Sequence, residues 1–82
     1  MIHARSDYQR FQDPDNKIPQ DEPVMLFRAQ DKYAPQALSY YANILEANNE
    51  DPAIITAVRL HIKAMKEWQT NVKVKSPDLP ND

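Results

Sequence analysis

The stretch DPAIITAVRLHIKAMKEWQT, residues 51–70, decides the fold. Asp51 offers a side-chain acceptor just ahead of Pro52, which is the pattern of an N-cap followed by a proline whose missing N–H costs nothing in the first turn. From there Ile55, Val58, Ile62, Met65 and Val72 recur at three- and four-residue spacing, and Ile54, His61, Met65 and Trp68 extend that face sideways. Ala53, Ala57, Leu60 and Ala64 add a row of mostly small side chains. Only Thr56, Arg59, Lys63, Lys66 and Thr70 make a consistently polar stripe. The spacing therefore predicts a central helix that needs cover from more than one neighbour, with Ile55, Val58, His61, Ile62, Met65 and Trp68 as core or oligomer-interface residues.

Upstream, Asp31 can cap a second helix, with Pro35 placed where a first turn tolerates it. Ala37, Leu38, Tyr41, Ile44 and Leu45 form its apolar stripe, and the pattern ends near Ala47. The connector Asn48-Asn49-Glu50 contains no glycine, and asparagine is the residue best able to take the left-handed conformation that closes a helix. So short a link implies an antiparallel helical hairpin. Ahead of it, Val24-Met25-Leu26-Phe27 is bounded by Pro23 and Arg28 and reads as a short strand or an extended segment. One strand cannot satisfy its own backbone. With no second convincing strand in the sequence, its partner is expected to be the same strand of another subunit.

The expected organisation is a mobile N-terminal arm over 1–22, a hairpin domain over 23–72 and a disordered tail over 73–82. Within the arm, Tyr8 and Phe11 beside Arg5 and Arg10 can form a helical turn that docks on the core or on a partner. The fold class is mainly α. A chain of 82 residues without cysteine has neither disulfides nor a Cys/His zinc site to staple a small core, so a homo-oligomer, by default a homodimer, is expected.

Composition excludes several functions. The chain has no glycine, which removes glycine-rich phosphate loops, dinucleotide fingerprints and nucleophile elbows together. Its longest apolar run is Val24 to Phe27, far short of a membrane span or a signal-peptide core, so a cytoplasmic protein without membrane contact is expected. A net charge of −2 supplies no field to steer the chain onto nucleic acid, and no motif for sequence-specific reading is present. Asp7, Asp13, Asp15, Asp21 and Glu22 miss the spacing of a calcium loop. His61, Met65 and Trp68 share a helical face but lack the further soft ligands of a copper site, so neither metal nor cofactor is expected. No serine has a context that would activate it, and the protein is expected not to be an enzyme.

What remains is binding chemistry. Tyr33, Tyr40 and Tyr41 follow Arg28, and Arg59, Lys63 and Lys66 form a basic stripe. Rings with a guanidinium suit a base, a ribose phosphate or a protein surface alike, and the stripe suits an anion. Arg28, Tyr33, Tyr40, Arg59, Lys63 and Lys66 are the candidate ligand or partner residues.

The run Ile18-Pro19-Gln20-Asp21-Glu22-Pro23-Val24-Met25-Leu26-Phe27-Arg28-Ala29-Gln30-Asp31, followed by Ala34-Pro35, Tyr41-Ala42, His61, Met65 and Trp68, resembles a group of short phage-encoded accessory proteins with no established activity. The likeness covers residues 17–69. It implies a protein made in the host cytoplasm that inhibits a host protein, such as a defence factor or a polymerase. Alternatives are an oligomeric sponge for a signalling nucleotide, or a structural or assembly accessory.

Overall fold

The computed structural model describes residues 1–8 and 13–80. It is mostly helical. In chain order the elements are β1 (Ile2–His3), a 3-10 turn (Ser6–Tyr8), β2 (Pro23–Val24), α1 (Ala34–Ala47) and α2 (Pro52–Asn71). The chain divides into two compact units, Met1–Phe27 with Asp78–Asp82, and Arg28–Pro77.

The helical unit follows from its sequence. At the start of α2, Asp51 accepts from the Ala53 N–H at 2.9 Å and Pro52 occupies the first turn, as the sequence predicts. Asn49 takes φ 55°, the left-handed value expected of the connector. Two bonds then close α1: Glu50 N–H donates to the Leu45 carbonyl at 3.0 Å, and Asn49 N–H to that of Glu46 at 3.1 Å. This six-to-one and five-to-two pair is the Schellman ending, here built on asparagine instead of glycine. The Asn48 side chain adds a bond to the Ile44 carbonyl at 2.8 Å.

The N-terminus of α1 departs from expectation. Its N-cap is Tyr33, which supplies no side-chain bond. Asp31 caps the preceding turn, accepting from the Tyr33 N–H at 2.8 Å, because Lys32 and Tyr33 form a turn before the helix begins.

The two helices pack together, with Ala34, Pro35 and Ala42 of α1 and Ile62 and Met65 of α2 buried. Ile55 and Val58 are half-buried beside them. The expected stripe of α1 divides: Leu38 and Leu45 are half-buried, whereas Ala37, Tyr41 and Ile44 remain exposed. Alanine at 34 and 42 is the cause, since small side chains bring the helix axes close and put the longer residues beside the contact.

Within the segment after α2, Lys75 is tied back to the chain entering α1. Lys75 N–H donates to the Gln30 carbonyl at 2.8 Å, and Lys32 N–H to the Lys75 carbonyl at 3.0 Å, a parallel bridge. Gln69, half-buried on α2, donates to the carbonyls of Ala29 and Asp31 at 2.8 and 2.9 Å. A polar side chain in the inward row thereby satisfies the backbone of the segment entering α1.

In the other unit, β1 pairs in parallel with β2, Ile2 opposite Pro23 and His3 opposite Val24. The expected strand over 24–27 is thus confined to its first residue plus Pro23, and its partner lies in the same chain. Ala4 N–H closes the ladder on the Val24 carbonyl at 3.1 Å, after which Arg5 leads into the 3-10 turn, and among the described residues the pairing ends at Val24. The segment read as an arm therefore carries a strand, a turn and a buried Tyr8. Arg5 binds Asp7 at 2.7 Å and Asp78 at 2.8 Å, and its guanidinium carbon lies 4.7 Å from the Tyr8 ring centroid. The bond to Asp7 foremost raises the Arg5 pKa above a value already far above neutrality, so the cation has no titration near neutral pH. Phe11 lies outside the described residues.

Candidate binding surfaces of the hairpin

The hairpin has two unlike sides. Arg59 marks the polar one: its Nη2 donates to Glu46 Oε2 at 2.7 Å and to Asn43 Oδ1 at 3.2 Å, tying α2 to α1. Both side chains of that ion pair stay well exposed, so it contributes at most about 1 kcal/mol. Its geometric role is larger. In an antiparallel pair with Arg59 level with Asn43 and Glu46, Lys63 and Lys66, one and two turns on, fall level with the earlier turns of α1 around Ser39 and Gln36.

Those turns carry the tyrosines. Tyr33, Gln36, Ala37, Ser39, Tyr40 and Asn43 line a shallow, open depression of about 640 Å³. Tyr33 and Tyr40 are 52% and 70% exposed, and Lys32 Nζ stands 5.0 Å from the Tyr33 ring centroid. Aromatic faces, two amides and a hydroxyl thus meet there, with the Lys32 cation over one ring. Of the predicted residues, Tyr33 and Tyr40 meet in the depression, whereas Lys63 and Lys66 are exposed on α2 and do not line it. Arg59 stands at its Asn43 edge, its guanidinium engaged by Glu46. Arg28 lies in the exposed segment leading into α1, ahead of the turn. Gln36, Ser39 and Asn43 escaped the sequence reading. Their signal was a three- and four-residue spacing with Tyr40, visible only once the inward face of α1 was known.

The opposite side is apolar. Right-handed helices running antiparallel place residues offset in the same sense from each inward face on the same side of the pair. Tyr41 and Ile44 of α1 accordingly lie on one side with Ile54, Ala57, His61, Ala64 and Trp68 of α2, and all are exposed. Of the predicted core or interface set, Ile55, Val58, Ile62 and Met65 therefore face α1. His61 and Trp68, the latter 39% exposed, belong to the outer side.

Among the described residues, no group of three or more potential metal ligands is present, and no helix is long and apolar enough to cross a membrane. A scan against family models finds no match, and searches of curated proteins and of solved structures likewise return none.

Proposed function

We propose that this chain is a non-enzymatic binding protein, acting as an inhibitor that occupies a host protein during phage growth in the host cytoplasm, and working as a symmetric oligomer. The observation that supports it is the open depression lined by Tyr33 and Tyr40; helix geometry sets the exposed Lys63 and Lys66 on the same side of the pair as Arg59. Exposed tyrosines, Tyr40 on α1 and Tyr33 at its N-cap, give contact area at little entropic cost, and an open, shallow surface fits a protein more readily than a small molecule, which prefers to be largely enclosed. The cations select an acidic partner surface. Affinity purification from host lysate tests the reading. The wild-type chain should retain a host protein that Tyr40→Ala with Lys63→Glu loses, while circular dichroism shows the double variant folded. Equal retention by both overturns it.

A second reading is a sponge for a signalling nucleotide, favoured by the same rings lying beside cations, since a base stacks on tyrosine and a phosphate pairs with lysine. A second subunit would have to enclose the depression. Thermal melts with cyclic and ADP-ribose-type nucleotides separate the two: a raised melting temperature supports the sponge, because a ligand of the native state raises apparent stability.

A further inference from the structure

On the apolar side of α2, Ile54, Ala57, His61, Ala64 and Trp68 advance by three, four, three and four residues. That is the seam spacing of a coiled coil, and it is separate from the row Ile55, Val58, Ile62 and Met65 already facing α1. The seam holds no Asp, Glu, Lys or Arg, although α2 carries Arg59, Lys63, Lys66 and Glu67 elsewhere on its surface. It is also symmetric to within one residue. Read outward from His61 in either direction, it runs small, then large: Ala57 and Ile54 one way, Ala64 and Trp68 the other.

Such a row is what a twofold contact demands, because there residue i meets j while j meets i. Aligned antiparallel about His61, Ile54 meets Trp68 of the second copy and His61 meets itself, while Ala57 and Ala64, four and three residues from the axis, come within one residue rise, about 1.5 Å, of level. The alanines allow the axes to approach to about 8 Å, and the large side chains close the ends. We propose that a second copy of this chain docks antiparallel along this seam, with the twofold axis at His61.

The available area agrees. Ile54, Trp68, and the flanking Leu60 and Tyr41 are 50%, 39%, 63% and 48% exposed. At about 200 Å² for each large side chain they leave roughly 400 Å² of apolar-rich surface, before the alanines and His61 are counted. A standard interface takes about 800 Å² from each partner, of which about 65% is apolar in homodimers. The inference rests on the oligomeric assembly proposed above and assigns it a face.

Because the chain contains no cysteine, single cysteines report the geometry directly. Under mild oxidation His61→Cys should give a disulfide-linked dimer, as a residue on the axis faces its own copy within disulfide reach. Ala57→Cys should not, since residue 57 of the second copy would lie about 12 Å away along the helix. Thr56→Cys, on the polar side, should also fail. His61→Glu, at an exposed position, should keep its helical circular dichroism while weakening association by on the order of a hundredfold, through like charges brought face to face. Linking at both 57 and 61 would overturn the antiparallel arrangement. A dimer in light scattering with no linking at 61 would overturn the face alone, and a monomer would overturn the assembly itself.

Discussion

Two isoleucines on α2 measure how far burial alone controls the stability of this hairpin. Ile62 is 6% exposed and Ile54 is 50% exposed, on the same helix and with the same chemistry. Ile62→Ala removes the equivalent of three methyl or methylene groups at about 0.8 kcal/mol each, and the cavity left behind raises the cost to about 3–4 kcal/mol. Ile54→Ala loses about half the transfer term and leaves no cavity, so about 1 kcal/mol. A chain of this size has about 4–12 kcal/mol in all. At about 4–8 °C for each kcal/mol, Ile62→Ala should lower the melting temperature by about 12–30 °C and Ile54→Ala by about 4–8 °C. Far-UV circular dichroism melts at dilute and concentrated protein make the comparison. Equal losses for the two variants in dilute solution would refute the assignment of the inward face. If the seam is covered by a second copy, the Ile54→Ala deficit should grow with protein concentration while that of Ile62→Ala persists throughout.

Asp51→Ala should cost about 1 kcal/mol in urea unfolding, through loss of the bond to Ala53 N–H, and Asp51→Ser should recover most of it. Asn49→Val should cost about 1–2 kcal/mol because a β-branched residue is forced to φ 55°, whereas Asn49→Gly should not lower stability, as the midpoint of a denaturant titration will show. Arg59→Ala should change stability by less than about 1 kcal/mol, with the difference from wild type shrinking as salt is raised, since its ion pair with Glu46 is exposed. Removal of residues 1–16 should leave the α1 and α2 signal in circular dichroism intact, because the caps of both helices and the Gln69 bonds come from within residues 28–77. Loss of cooperative melting would show that the hairpin depends on the deleted segment.

Much of the helical unit was legible because its determinants are local. Asp51-Pro52, the asparagine pair and the Ile55–Val58–Ile62–Met65 row each act within a few residues, and each appears in the structure as its spacing implies. The parallel pairing of β1 with β2 was not legible, since Ile2 and His3 are too few to show alternation and their partners lie about twenty positions away. The Asp31–Lys75 bridge was hidden for the same reason. At the site, aromatic and basic residues advertised themselves, but the division of α2 into an inward row and an outer seam depends on which residues α1 covers. His61 and Trp68 share a turn with Met65 by sequence, and only the small residues of α1 decide that Met65 is taken inside while the other two are left out.

The parallel bridge at the base of the hairpin also sets how the helical unit answers mechanical load. Residues 30–32 and the stretch around Lys75 run in the same direction, so tension applied to the chain on either side of the unit pulls the two segments past each other along their length. The bonds from Lys75 to Gln30 and from Lys32 to Lys75 then share the load in shear, and neither peels ahead of the other. Gln69, gripping the carbonyls on either side of Gln30, resists the same displacement from the flank. The two helices lie behind this clasp, so a pull along the chain reaches the neck before it reaches the helical contact.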